Sequence, residues 1–497
     1  MKYKLLNYLK SSAARKWLNI YPNQDVVEID PLENYNLQLW QLTQAKLTEI
    51  SGLVATPNPV VFIIERDPLQ FIAAFLASVI AEVNLFLCDP AWQLQEWLQV
   101  LQLVQPDLIY GDRSSYDLIA QIVTTNYNTP DYPNISSQAL IMLPTGGTSG
   151  KIKFAMHDWS TLTASARGFQ EYFDCPKINS FCTLPLYHVS GLMQLVRSLI
   201  TKGSLTICPY KTIKAYHNAL NQDYQDYFIS LVPTQLQYLF ESSPKWLAQF
   251  KTVLLGGAPA RRSLLATARK HNIRIALTYG MTETASGIAT LKPEAFLAGN
   301  YSNGRVLPHA HVEIDTSSSR RESNSKIGTI KISSTSRCLG YYPQLFTPGQ
   351  QFITDDLGYF DRQGYLCLVG RSSHKIITGG KNVFPAEVEA AIYATELVED
   401  VCVIGIGDRK WGQAVTAIYT PIKLAFITLI QARLRHQLAK YKQPKYWIEM
   451  DTIPRNNRGK INYPQVKAIA LDILNQKKPP KQPQGTVISS IPPKSYN

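Results

Sequence analysis

The chain has 497 residues, 45% of them hydrophobic and 18% charged, and carries a formal net charge of +13. That length allows two or more domains, and the apolar share is ample for a large core. No run of about 18 uncharged apolar residues occurs, so no transmembrane helix is expected; the start Met1-Lys2-Tyr3-Lys4-Leu5-Leu6 lacks both the long apolar core and the cleavage site of a signal peptide.

In chain order, Val60 to Ile64 reads as a buried strand, Leu69 to Ile80 as a helix and Val83 to Cys88 as a further strand. This alternation indicates α/β layers. Ala139 to Leu143 reads as a strand that feeds Thr145-Gly146-Gly147-Thr148-Ser149-Gly150-Lys151-Ile152-Lys153. The glycines let the backbone approach a phosphate, and successive N–H groups, hydroxyls and a lysine form an anion-binding concavity. The spacing is not that of a Walker A loop, and Ile152 stands where that motif needs Ser or Thr. Lys153 to His157 alternates as a second strand before a helix capped by Asp158, so the loop is expected at a hairpin tip.

Leu184 to His188 ends a further strand-like segment and runs into Val189-Ser190-Gly191. Thr252 to Leu255 is a strand ending in Gly256-Gly257-Ala258-Pro259, with a helix expected over Ala260 to His271. Ile275 to Thr278 is a strand that feeds Tyr279-Gly280-Met281-Thr282-Glu283. Residues 316 to 325, rich in Ser, Arg and Asn, read as an exposed loop. Beyond Arg371 come a glycine turn at 379–380, a helix over Pro385 to Tyr393, a strand over Val401 to Ile406 and a long helix near 424–441. The seven cysteines include no Cys-x-x-Cys pair, which fits a reducing cytoplasm and argues against structural zinc. The basic excess is spread along the chain and reads as a surface that draws anionic small molecules, not as a nucleic-acid interface.

The loop at 145–153 resembles the phosphate loop of the adenylate-forming acyl-CoA synthetases, the AMP-binding superfamily, with Gly146 and Ile152 as departures. Five further segments resemble the same family in the same order: Gly256-Gly257-Ala258-Pro259, Tyr279 to Glu283, Phe352-Ile353-Thr354-Asp355-Asp356-Leu357-Gly358 with Gly370-Arg371, Ile376 to Glu389, and Pro454-Arg455-Asn456-Asn457-Arg458-Gly459-Lys460-Ile461. The resemblance implies an α/β fold: a large N-terminal adenylate-forming domain of layered sheets and helices over 1–370, a small mobile α+β domain over 371–475, and a disordered tail over 476–497. It implies ATP, Mg²⁺ and coenzyme A as cofactor and co-substrates.

The same resemblance assigns roles. Thr145, Gly147, Thr148, Ser149, Gly150 and Lys153 would cradle phosphates. Gly256, Gly257 and Ala258 would lie along the adenine, with Tyr279 and Gly280 nearby. Thr282 would bond the α-phosphate and Glu283 would hold Mg²⁺. Asp356 would accept from the ribose hydroxyls and Arg371 would reach the ribose or phosphate. Asp355 replaces a usual glycine, which reads either as altered backbone geometry or as a left-handed residue. A hinge falls near Ser373 and His374 by register. Gly379 and Gly380 would serve thioester formation, and Lys460 would reach the forming acyl-phosphate bond.

Tyr187-His188-Val189-Ser190-Gly191-Leu192-Met193 with Arg197, Thr284-Ala285-Ser286, and Lys153 to His157 resemble the o-succinylbenzoate–CoA ligases of menaquinone and phylloquinone synthesis. His188 would gate the acyl site, and Arg197, His188 or Ser286 would face the second carboxylate of a diacid. A structural ion pair for Arg197 and a packed wall for His188 stand as alternatives. Another aryl- or short-chain acyl-CoA ligase shares every nucleotide motif, and an inactive nucleotide-binding scaffold is a further reading. The expected setting is cytoplasmic, with small-molecule partners, no nucleic acid, no membrane span and room for a homo-oligomer.

Overall fold

The computed structural model describes residues 2–21, 34–53, 56–112, 114, 117, 119–121, 139–146, 151–210, 212–213, 223–317, 327–422, 427–455 and 460–476. The chain divides into two compact units, 1–373 and 374–497. The sequence placed this break at about 371, and the hinge pair Ser373 and His374 straddles the observed one. The last 21 residues of the expected tail lie outside the described residues, as does the stretch 318–325 of the Ser/Arg/Asn-rich loop.

Unit 1 is built on three sheets. The first has eight strands in the order Leu18–Ile20, Leu205–Ile207, Asn179–Cys182, Tyr227–Leu231, Thr252–Leu255, Ile275–Met281, Ser286–Thr290 and Arg305–Val306. Its first six strands run parallel, and the last two turn back antiparallel. The second sheet has seven strands: Gln344–Leu345, Gly340–Tyr341, Ile152–His157, Ile141–Gly146, Asn84–Leu87, Val60–Ile64 and Leu108–Gly111. The third is a four-stranded antiparallel meander, Ala310–Asp315, Gly328–Ser334, Phe352–Phe360 and Leu366–Arg371.

Strand alternation explains how the layers close. In the second sheet Val61, Ile63, Leu85, Leu87, Ile141 and Leu143 face a core shared with Leu18, Ile20, Leu205 and Ile207 of the first sheet. The intervening residues Phe62, Ile64, Phe86, Met142 and Phe154 face the other way, onto Trp97 and Val100. The helix Pro68–Ala81 is apolar on nearly every side because it fills the space between layers. Asp67 caps its start, accepting from the Gln70 N–H at 2.8 Å, with Pro68 at the first helical position.

Most expected elements occupy their expected places, among them Val60–Ile64, Thr252–Leu255 and Pro385–Tyr393. One does not. The strand-like reading of Leu184 to His188 fails: the strand is Asn179–Cys182, and the following residues form an irregular crossing into the helix Val189–Thr201. Pro185 cannot donate to a ladder, and this stretch leads away from the sheet edge. The helix expected near 424–441 is Ile427–Gln437, its beginning at 424–426 lying outside the described residues. In unit 2 the strands Lys381–Val383, Ile376–Thr378, Gly412–Pro421 and Val398–Asp408 form one sheet, with Tyr446–Glu449 parallel to Gly412–Pro421.

Candidate active site

In an open parallel sheet, ligands bind beyond the carboxyl ends of the strands, where several chain segments emerge together. Gly256 and Gly257 follow Thr252–Leu255 at that edge, and Leu255 is level with Leu277 on the neighbouring strand. A Cβ on Gly256 would lie 2.3 Å from the Thr278 hydroxyl, and Gly257 has φ +81°, so both positions demand glycine. Ala258 continues the turn. The next strand carries Tyr279 and Gly280, and a Cβ on Gly280 would fall 2.0 Å from the Ser286 carbonyl oxygen.

The strands that flank the Thr/Gly loop pair as a hairpin, as expected. Ile141–Gly146 and Ile152–His157 pair antiparallel, with Thr145 opposite Lys153. Gly147, Thr148, Ser149 and Gly150 lie outside the described residues. Thr145, near the tip end of the hairpin, meets Glu283, and Lys153 opposite it reaches Tyr341. The Thr145 hydroxyl is 3.4 Å from Glu283 Oε1, and the Tyr341 hydroxyl donates to the same oxygen at 2.7 Å. Lys153 Nζ lies 5.1 Å from the centroid of the Tyr341 ring. Burial, then the adjacent Glu283 carboxylate, pushes the Tyr341 hydroxyl well above its ordinary pKa, so it stays a donor. Nothing in the sequence around Tyr341 announces this contact, because 58 residues separate it from Glu283.

Thr282, Glu283 and Thr284 form a single 3₁₀ turn, followed by Ala285 at φ +48° and Ser286 at φ +87°. Left-handed non-glycine residues cost about 1–2 kcal/mol each. Side chains from three other segments offset that cost by bonding the turn's carbonyls. His157 Nε2 is 2.8 Å from the Thr282 oxygen, Ser336 Oγ donates to the Thr284 oxygen at 2.9 Å, and Ser165 Oγ to the Ala285 oxygen at 2.7 Å. His157 is completely buried, and desolvation lowers its pKa to about 4, leaving the ring neutral at pH 7.

A second cluster joins Tyr279 to the meander. Its hydroxyl donates to Asp356 Oδ2 at 2.8 Å, and Arg371 Nε reaches Asp356 Oδ1 at 3.3 Å. Asp356 and Arg371 are register partners across two antiparallel strands, so the sheet itself delivers the pair. The Tyr279 ring packs with Ile288, Val312, Ile330 and Leu366. Asp355 lies inside the extended strand Phe352–Phe360 and has no left-handed backbone, which excludes one of its two sequence readings. Its carboxylate instead accepts from the Ser373 N–H at 3.0 Å and from the Ser373 hydroxyl, tying down the last residue of unit 1.

Arg197 and Ser286 also meet. Arg197 Nη2 donates to Ser286 Oγ at 2.9 Å, and the guanidinium carbon sits 4.0 Å over the Phe169 ring. The side chain is only 5% exposed, and Nε is buried without a hydrogen-bond partner. No carboxylate pairs with it among the described residues. Burial lowers its pKa only to about 10, which keeps the charge at neutral pH. His188 begins the same helix as its N-cap, with Nε2 3.8 Å from Asp89 Oδ2.

In unit 2, Gly379 and Gly380 are the two central residues of a tight hairpin between Ile376–Thr378 and Lys381–Val383. Their φ values are +54° and +76°, the type I′ geometry that glycine permits. Lys460 is exposed and precedes Ile461, which forms a bridge with Arg455. Arg455 Nη2 is anchored to Asp400 Oδ2 at 2.7 Å.

Family comparison settles the lineage of this arrangement. The family model described as AMP-binding enzyme matches residues 50–342, and that described as AMP-binding enzyme C-terminal domain matches 387–460. The chain belongs to the AMP-binding enzymes. A 2-succinylbenzoate–CoA ligase from Enterococcus faecalis is 33% identical over 338 residues, covering 66% of this chain and 69% of the relative. Another from Oceanobacillus iheyensis is 34% identical over 333 residues, covering 64% and 68%. Among solved structures, o-succinylbenzoate CoA synthetase from Bacillus subtilis with its acyl-adenylate intermediate has a TM-score of 0.77 at 23% identity, covering 93% of this chain and 97% of that one. ATP-bound MatB from Rhodopseudomonas palustris gives 0.78 at 23% identity, covering 95% and 100%. The two structures share the AMP-binding fold with this chain equally well.

In this AMP-binding enzyme the carboxylate that Thr145 meets is that of Glu283. No cluster of three or more His, Cys, Asp or Glu side chains suited to a metal occurs among the described residues. A single hard oxygen ligand is what Mg²⁺ needs when phosphate oxygens and water complete its shell. Glu283 fits that role, since its contacts from Thr145 and Tyr341 both fall on Oε1. Tyr341, His157, Ser165 and Ser336 were not singled out from the sequence as site residues.

Proposed function

We propose that this protein is an AMP-forming acid–CoA ligase that converts 2-succinylbenzoate to 2-succinylbenzoyl-CoA, a step of menaquinone or phylloquinone biosynthesis, in the cytoplasm. The curated relatives carry that activity in their names, at about a third identity. The observation that carries the substrate assignment is Arg197: a buried, charged guanidinium without a carboxylate partner among the described residues, bonded to Ser286, three positions after Glu283. A diacid supplies the missing anion. An unpaired buried cation is costly to keep for packing alone.

In this reading one carboxylate of the acid attacks the α-phosphorus of ATP. The bond to the bridging oxygen of pyrophosphate breaks, and acyl-AMP remains. The coenzyme A thiol then loses its proton, attacks the acyl carbon and expels AMP. The protein positions the reactants and neutralises charge. Thr145, Lys153 and Thr282 would bind phosphate oxygens, with Gly147 to Gly150 completing that loop. Gly256, Gly257, Ala258 and Gly280 would leave room for the base, and Asp356, presented by Tyr279 and Arg371, would accept from the ribose. Mg²⁺ held at Glu283 would neutralise the phosphates. Arg197 and Ser286 would hold the second carboxylate, with His188 at the acyl entrance. Lys460 would serve adenylation, and the Gly379–Gly380 hairpin thioester formation, through movement of the small domain.

The test is mass spectrometry of the reaction with 2-succinylbenzoate, ATP, Mg²⁺ and coenzyme A, beside a panel of monocarboxylic acids. The reading expects the succinylbenzoyl thioester and AMP. Preferential turnover of a monoacid would assign a different acid to the same machinery.

A further inference from the structure

The turn that presents Thr282 and Glu283 is not self-supporting. It is one turn long, it is followed by two left-handed non-glycine residues, and its carbonyls are met from outside. His157 is the contact nearest the chemistry. It ends the strand that carries Lys153 and precedes the Asp158 cap of the helix Trp159–Phe173, so its position is fixed by both elements. A carbonyl oxygen only accepts, so the proton resides on Nε2 and points at Thr282. Nδ1 is then an acceptor, and the Thr161 hydroxyl lies 3.0 Å from it. Thr161 is itself held through the capping contact of its N–H with Asp158 at 2.8 Å. The ring is 0% exposed and cannot exchange these partners for water.

We infer that His157 is a positioning residue for adenylation: its Nε2–H clamps the Thr282 carbonyl and so aims the Thr282 hydroxyl and the Glu283 carboxylate at the nucleotide phosphates. The inference rests on the proposed ligase reading for the roles of Thr282 and Glu283. The clamp ties the turn to the strand of Lys153, so the groups expected around the triphosphate move as one body.

The experiment compares wild type, His157→Gln, His157→Leu and His157→Met as full-length enzymes. ATP–pyrophosphate exchange with 2-succinylbenzoate reads adenylation, and thioester formation from supplied acyl-AMP reads the second half. Leu and Met, which lack a donor, are expected to lower kcat for exchange about tenfold to a hundredfold and to raise the Mg²⁺ concentration for half-activation several-fold. Thioester formation should stay within about twofold, because Thr282 and Glu283 serve the triphosphate in this reading. Gln, whose amide donates over a similar reach, is expected to restore most of the exchange rate. Wild-type exchange in the Leu variant, equal loss in Gln and Leu, or parallel loss of both half-reactions overturns the inference. So does ¹⁵N-histidine NMR of the wild-type protein that finds Nδ1 protonated, a test that needs no variant to fold. A wild-type enzyme that exchanges with no acid would instead sink the ligase reading, which keeps the two failures apart.

Discussion

Replacing Arg197 with methionine separates substrate recognition from folding. The guanidinium is 5% exposed, keeps its charge at a pKa of about 10, and makes its recorded bond to Ser286 at 2.9 Å. A charge-assisted hydrogen bond contributes about 1.5–3 kcal/mol, so a two-pronged contact to a substrate carboxylate is worth about 3–6 kcal/mol. At 1.36 kcal/mol per tenfold, Arg197→Met should lower kcat/KM for 2-succinylbenzoate by about 10²–10⁴. An analogue in which hydrogen replaces the carboxylate that does not react should lose little and can gain. Without substrate the variant should be at least as stable as the parent, because a buried unpaired cation has been exchanged for an apolar chain of similar length. Pyrophosphate-exchange kinetics on both acids, with thermal denaturation of the ligand-free proteins, checks all three outcomes. Equal loss on both acids together with a strongly lowered melting temperature would refute the reasoning and make Arg197 a structural cation.

Lys460→Ala should abolish acyl-adenylate formation while thioester formation from supplied acyl-AMP survives; stopped-flow measurement of each half decides this, and joint loss contradicts the assignment. Tyr279→Phe removes the 2.8 Å bond to Asp356 without emptying the core, so the KM for ATP should rise about tenfold, from about 1–2 kcal/mol, with kcat little changed; an unchanged KM would separate Asp356 from the ribose. Acid should weaken the fold through His157. Its folded pKa of about 4 lies below the unfolded 6.5, so the unfolded chain binds the proton first as pH falls. The contribution is full above pH 6.5 and drains away towards pH 4, about 3 kcal/mol in all, and urea titrations across that range should show a shallower slope in His157→Gln. In unit 2 the sign reverses for Glu389, whose carboxyl is raised by burial to about 7. Its contribution is full below pH 4.5 and drains away as pH rises to about 7, so Glu389→Gln should remove a fall in stability between pH 4.5 and 7.

Much of the site was readable in one dimension because its chemistry is local. A glycine whose added Cβ would fall 2.0 Å from a neighbouring carbonyl oxygen, as at Gly280, leaves a letter that other residues replace only at the cost of moving the backbone. The same holds for the paired left-handed glycines 379 and 380. Asp158 and Pro385 announced their helices because caps act over three or four residues. The irregular crossing at Leu184 to His188 was misread because apolar residues on a path between layers look like those of a strand. The sequence allows two backbones at Asp355, and the pairing of the strand Phe352–Phe360 decides between them.

The sequence by itself determined the order of the chemical parts: a hydroxyl- and lysine-bearing loop, the Thr282–Glu283 pair, Asp356, Arg371 and Lys460, since each is written in a short run of residues. Only the tertiary structure decided which side chains hold those parts in place. His157 and Thr282 are 125 positions apart, Tyr341 and Glu283 58, and Arg197 and Ser286 89. Hydrogen bonds between such residues leave no periodicity and no fixed spacing. They exist because three sheets and the helices between them bring distant segments to one edge, and burial there makes each of those polar contacts worth keeping.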